Sequence, residues 1–394
     1  MKINFVNLPK FSVITMKIII ILLIFSGILS CKTDQKSKIQ VNISDTSDTL
    51  VKYAKGFDIK HFNDIVKLNI LTPYPNAKEE LTYYLIPKKN KVPDSLKNKI
   101  IIRTPVKRIV ATSTTHIPMI ELFHQENTLV GFPQTGYISS KKTADLVKKG
   151  KVKDLGNTRD INTEILIELS PEVVIGFSLS SNNKMYYNIE NVGIPVIYNG
   201  DWLEETPLGR AEWIKLFGAL YDKTNEADSI FKHIESEYNH AAELALKAVK
   251  RPTVLSGVLF KDKWNLPAGK SFTARLFKDA NTNYLWKDTD GRGSLVLSFE
   301  SVFAKAYNAD FWIGAGIYTS YNEMKESDEH YTGFKAFRNK NIYTFSKKRG
   351  TDGGVIYFEL SPIQPHFVLK DLIKVTHPEL LPDYKTHFLE KLDD

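Results

Sequence analysis

One cysteine, Cys31, is all that the 394 residues contain. That excludes any intrachain disulfide and any zinc site built from several thiolates. The nine histidines include no His-Glu-x-x-His pair, so no metal ligands are assigned. Gly269-Lys270-Ser271 resembles the end of a phosphate loop, but the first glycine it would need is Trp264. Gly176-Phe177-Ser178-Leu179-Ser180 lacks the closing glycine of a nucleophile elbow. Dense positive charge is missing as well. The net charge is +8, and Lys2, Lys10 and Lys17, unopposed in residues 1–30, supply three of it, leaving +5 for the remainder. A nucleic-acid partner is therefore not expected. What is present, 42% hydrophobic and 25% charged residues, is the composition of an ordinary folded protein of two or three domains.

The apolar run from Ile18 to Leu29 has twelve residues, short of the roughly 20 that cross a bilayer core and right for a signal peptide after Met16 and Lys17. Translation could start at Met1 or at Met16. Ile28-Leu29-Ser30-Cys31 follows the run directly and resembles a bacterial lipobox, so residues 1–30 read as a lipoprotein signal and Cys31 as the acylated residue. An ordinary secretory signal beside a bystander cysteine is the alternative. Residues 31–49 are polar and form a flexible tether. Residues 50–104 hold short apolar stretches (68–71, 81–86 and 100–102) parted by Pro73, Pro75, Pro87 and Pro93, a small strand-rich extension.

From Val106 the pattern changes to short apolar strands alternating with helices. Strands are expected at 109–111, 128–132, 173–175, 196–198, 253–259, 311–313 and 342–345, which argues for parallel α/β layers. Thr206-Pro207 opens a helix with Pro at its first position. A second helix runs from Thr224 to about Val249, with Ala227, Ile230, Phe231, Ile234, Tyr238, Ala241 and Ala245 on one face, and Pro252 follows it. The fold class is thus α/β: a lobe over 105–205, connecting helices over 206–250, and a second lobe over 251–394 with closing helices, a cleft lying between the lobes. Both lobes carry a glutamate opening a short helix that feeds a strand ending in glycine, Glu164 to Gly176 and Glu300 to Gly314.

Arg108-Ile109-Val110-Ala111, Leu129-Val130-Gly131, Asn162-Thr163-Glu164-Ile165-Leu166, Leu169-Ser170-Pro171-Glu172-Val173, Leu266-Pro267-Ala268-Gly269, Leu297-Ser298-Phe299-Glu300 and Ala309-Asp310-Phe311-Trp312-Ile313 occur in that order around the long helix. In this the chain resembles the helix-linked periplasmic substrate-binding proteins of ABC importers for ferric siderophores, haem and cobalamin. The likeness covers residues 105–390. It departs after Ala280, where Asn281-Thr282-Asn283 replaces the usual glycine pair. The resemblance implies a non-enzymatic, monomeric binding protein with no cofactor of its own, whose ligand is a ferric siderophore, haem or cobalamin. Its partners would be an ABC permease with its ATPase, and a membrane reached through the lipid anchor, in a bacterial cell envelope. It also implies that Glu164 and Glu300, on the outer face of each lobe, dock on permease arginines.

Loops at the strand ends supply the candidates for the ligand wall: His116, Tyr137, Phe177 and Trp202 in the first lobe, and Trp264, Arg292, Tyr318, Arg349 and Tyr357 in the second. Aromatic faces suit flat chelates and macrocycles, and arginines suit acidic or metal-chelating ligands. The alternative is an exported lipoprotein hydrolase using a carboxylate in the interlobe cleft; a carboxylate pair inside the cleft would favour it.

Overall fold

The computed structural model describes residues 51–158 and 160–394. Cys31, the signal segment and the tether lie outside the described residues.

The extension is a four-stranded sheet of Phe57–Phe62, Ile65–Ile70, Leu81–Pro87 and Ile100–Thr104, in that spatial order, with only the last pair parallel. The first strand is missed by the sequence reading because charge and histidine interrupt it (Phe-Asp-Ile-Lys-His-Phe). Its inward residues Phe57 and Ile59 alternate strictly and are buried.

The first lobe is a five-stranded parallel sheet ordered Val196–Tyr198, Val173–Gly176, Ile109–Ala111, Leu129–Phe132 and Lys153–Asp154. Its inner three strands are buried apolar runs, as a sheet covered on both faces requires. The second lobe repeats the plan with Asn283–Tyr284, Thr253–Ser256, Phe311–Ile313 and Ile342–Thr344 parallel, and Glu390–Lys391 added antiparallel at one edge. The expected strand 253–259 is broken at Gly257. Its second half, Val258–Phe260, leaves the lobe sheet for an antiparallel sheet with Lys263–Pro267 and Ser294–Leu297.

The bridging helix is Thr224–Ala245, 22 residues, or about 33 Å at 1.5 Å per residue. It stops four residues before the expected Val249, because Lys247 and Ala248 turn back onto the carbonyls of Leu244 and Ala245. Asn281 closes that end: its amide donates to the carbonyls of Ala245 (3.1 Å) and Ala248 (3.2 Å), and its backbone takes a left-handed φ of 54°. Asparagine tolerates that region and brings an amide glycine does not have, so the departure from the usual glycine pair has a structural use. The buried stripe Ala227, Phe231, Ile234, Tyr238 and Ala241 packs on Ile214–Leu220 and on the closing helix Pro365–Thr376. In that closing helix the fully buried Asp371 accepts the consecutive backbone N–H groups of His387, Phe388 and Leu389, and the Tyr384 hydroxyl, fixing the C-terminal tail. No helix of the described residues is long and apolar enough to cross a membrane.

Candidate functional site

In each lobe the loops that leave the C-terminal ends of the parallel strands gather on one edge, and these two edges meet. From the second lobe, the Glu359 carboxylate accepts the backbone N–H groups of Ser139 (2.7 Å) and Ser140 (2.9 Å) in the first. Beside it the chains touch backbone to backbone: a Cβ on Gly354 would lie 2.2 Å from the Tyr137 carbonyl oxygen, and one on Gly350 2.3 Å from that of Ser139. Lys148 and Asp352 form an ion pair at 3.2 Å across the same junction. On another side Arg292 pairs with Glu205, and Arg210 lies over the Phe272 ring at 4.3 Å. The lobes are therefore joined by contacts of their own as well as by the bridging helix.

Burial pushes the Glu359 carboxyl up to about 7, against the Ser139 and Ser140 donors, with nearby Glu121 adding to the rise. Between the unperturbed carboxylate value and about 7 the folded chain holds this proton and the unfolded chain does not. Stability therefore falls as pH rises through that window. Urea midpoints of wild type and Glu359→Gln at about pH 5 and about pH 8 should show the wild type losing ground relative to the variant at the higher pH. A difference that does not change with pH would contradict the assignment.

The candidate wall residues divide in this setting. Tyr357 stacks on Phe345 with ring centroids 4.0 Å apart, and burial raises its phenol while the Arg210 charge works against the rise. Trp202 is half-buried, and its indole N–H, like the Asn199 amide nitrogen and one Asp201 oxygen, is buried without a hydrogen-bond partner among the described residues. Phe177 lines a cavity of about 660 Å³ with Ser178, Leu179, Asn183 and Met185. Tyr137 is largely exposed. Tyr318 is held in its own lobe, hydroxyl to hydroxyl with Ser327 at 2.5 Å. Arg349 is exposed and donates to the Gly353 carbonyl of its own loop at 3.0 Å.

Two residues are not where the sequence reading put them. Trp264 is fully buried in the aromatic core of the second lobe, against Trp312, Tyr331 and Phe334, with its indole N–H on the Ser256 carbonyl. It sits on the inward face of the strand Lys263–Pro267, so it cannot form a cleft wall. His116 is 1% exposed beneath the wall, its ring 6.0 Å from that of Phe217. Burial lowers its imidazole to about 4, leaving it neutral, and Nδ1 has no partner among the described residues.

Glu164 and Glu300 are both exposed in the first turns of Thr163–Glu168 and Phe299–Ala306, capped by Asn162 and Ser298. Each helix runs back antiparallel to the strand it feeds. Its N-terminus therefore lies toward the C-terminal edge of its lobe's parallel sheet, with the glutamate exposed. Neither forms an ion pair among the described residues, and its own backbone N–H, then the Ser298 hydroxyl, hold Glu300 below the usual carboxylate range. Tyr137, Leu179, Phe260, Ile317 and Phe358 are all more than half exposed. Among the described residues no group of three or more His, Cys, Asp or Glu is placed to hold a metal ion.

Sequence reasoning missed Arg210, Asn199, Asp201 and Glu359. A signal was available for Arg210: residues 207–220 are apolar or small apart from Arg210, Glu212 and Lys215, the pattern of a helix apolar all round, whose charges are interior charges, and the structure buries the whole stretch.

Residues 109–348 match the family described as periplasmic binding protein. An uncharacterized lipoprotein of Methanocaldococcus jannaschii is 26% identical over 95% of this chain and 94% of its own length. A possible iron-binding (periplasmic solute-binding) protein from Staphylococcus epidermidis has the same fold, with a TM-score of 0.53, 19% identity, and coverage of 70% of this chain and 100% of that one. So does the periplasmic haem-binding protein of Vibrio cholerae, at 0.52, 16%, 66% and 98%. Paired parallel sheets meeting at their C-terminal edges across a bridging helix, together with the match over 109–348, lead to one statement: the chain belongs to the periplasmic binding protein family, whose members bind solutes and are not enzymes.

Proposed function

We propose that this protein is the substrate-binding component of an ABC importer, held at the cell envelope by lipid on Cys31, and that it delivers a ferric siderophore, haem or cobalamin to the permease as a monomer. The reading rests on one observation above all. Arginine and aromatic rings meet where the lobes touch, Arg210 with Phe272 and Tyr357; Asn199, Asp201 and Trp202 hold buried polar atoms without partners among the described residues; and two exposed glutamates, one per lobe, form no ion pair among the described residues. A wall of this kind fits a large ligand with flat apolar faces and acidic or chelating groups. Tyr137, Phe177, Trp202, Arg292, Tyr318, Arg349 and Tyr357 remain the side chains assigned to its surroundings, with Arg210 added.

Native mass spectrometry of protein from iron-starved and from cobalamin-supplied cells should show a bound mass. Tryptophan fluorescence titration with haemin, a ferric trihydroxamate and cyanocobalamin should then identify the class. No bound mass and no binding of any of the three would remove the ligand assignment. Cys31→Ser should move the protein from the membrane to the soluble fraction. Wild type that takes up no labelled palmitate would overturn the anchor.

A further inference from the structure

The extension, which precedes the matched region 109–348, joins the molecule at an unusual place. Five consecutive backbone N–H groups enter two buried carboxylates: Lys52, Tyr53 and Ala54 donate to Glu212, and Lys55 and Gly56 to Glu204. Glu204 also takes the Trp213 indole N–H at 3.0 Å. It belongs to the segment 199–206, which leaves the C-terminal end of strand Val196–Tyr198 and carries Asn199, Asp201 and Trp202 to the cleft.

A second set of contacts links the same two parts. The Gly56 carbonyl accepts from Leu71 (2.8 Å) and Thr72 (3.1 Å), which fixes the turn beyond the second strand of the extension. That turn lies directly on the cleft segment, since a Cβ on Gly200 would sit 2.4 Å from the Thr72 carbonyl oxygen. Next along, Glu205 receives Lys55 of the extension at 3.3 Å and Arg292 of the second lobe. Lys55, Gly56, Thr72, Glu204, Glu205 and Arg292 surround one small cavity of about 20 Å³. The extension, the cleft segment and the second lobe converge there.

We propose that the extension is a positioning element of the binding apparatus: its 52–56 and 71–72 backbone sets the shape of the cleft segment 199–206, and through it the affinity for ligand. The affinity part rests on the reading under Proposed function; the positioning part does not need it. A fold-supporting cap would bind anywhere on the lobe, whereas this one grips the segment whose buried polar atoms Asn199 Nδ2, Asp201 Oδ2 and Trp202 Nε1 lack partners among the described residues.

Gly56→Ala tests it from the extension side, because the new methyl would lie 2.8 Å from the Trp213 ring and 3.0 Å from a Glu204 oxygen. In hydrogen exchange on the full chain, amides of 199–206 should exchange about tenfold faster, with those of strands 109–111 and 173–176 unchanged. The milder Lys55→Ala, which removes only the contact with Glu205, should give about twofold in the same segment. Lys97→Ala, an exposed position remote from the cleft segment, should give none. Faster exchange confined to the extension, or spread evenly over the chain, overturns the proposal. Affinity for whichever of haemin, ferric trihydroxamate or cyanocobalamin binds wild type should fall about tenfold in Gly56→Ala. If exchange responds and none of the three binds wild type, the ligand class falls and the positioning role stands. If one binds and its affinity is the same in both proteins, the effect on affinity is refuted.

Discussion

Replacing Glu164 and Glu300 together with alanine is expected to abolish uptake while leaving ligand affinity within about twofold of wild type. Both carboxylates are exposed, and neither is spent on an ion pair among the described residues. Each stands in the first turn of its helix, where unpaired backbone N–H groups favour negative charge. They are thus available to a membrane partner as a pair of fixed surface charges, one per lobe. Losing one charge-assisted contact at an interface commonly costs about 2–5 kcal/mol, and losing both should be decisive for a transient complex. Reconstituted permease in nanodiscs gives the docking measurement, and equilibrium titration the affinity. A double variant that docks normally but loses ligand would place these acids in the binding site.

The second large effect concerns stability. Glu212 is fully buried and accepts Lys52 N–H at 2.8 Å, Tyr53 N–H at 2.6 Å and Ala54 N–H at 2.9 Å, and it pairs with the buried Lys215 ammonium at 2.9 Å. Glu212→Ala strands three backbone donors and removes the 2.9 Å carboxylate partner of Lys215, with Asp228 still 3.4 Å away. Breaking one side of a buried ion pair costs about 3–5 kcal/mol, so the urea midpoint should fall sharply. Glu212→Gln retains the shape and one acceptor oxygen, and should lose about 1–3 kcal/mol. A loss below about 1 kcal/mol for the alanine variant would mean that the segment is held by something other than this carboxylate.

Legibility followed the strength of local signals. The parallel strands were readable because each is a short apolar run bounded by turn residues, and the bridging helix because its apolar positions recur every three or four residues. Its end was misread because Leu246 and Val249 continue the apolar spacing although the chain has already turned, and both are exposed. Trp264 was read as a loop residue, yet Lys263-Trp264-Asn265-Leu266 alternates with period two, and the structure puts the lysine and asparagine outward and the tryptophan and leucine inward. The cleft itself was legible only as a set of strand ends. Which side chains meet there depends on pairs such as Glu359 with Ser139 and Arg210 with Phe272, which are distant in sequence and leave no periodic trace.

The carboxylates that grip runs of amide groups have an evolutionary consequence. Glu212 and Glu204 read residues 52–56, Asp371 reads 387–389, and Glu359 reads 139–140, in every case through backbone N–H. An N–H is common to every residue except proline. Apart from Gly56, where a Cβ would meet Trp213 and Glu204, the gripped segments can thus drift in side-chain identity while keeping their attachment, and proline is the substitution that every run forbids. Selection should instead fall on the four acids, so relatives are expected to hold these carboxylates fixed while the tracts they bind diverge.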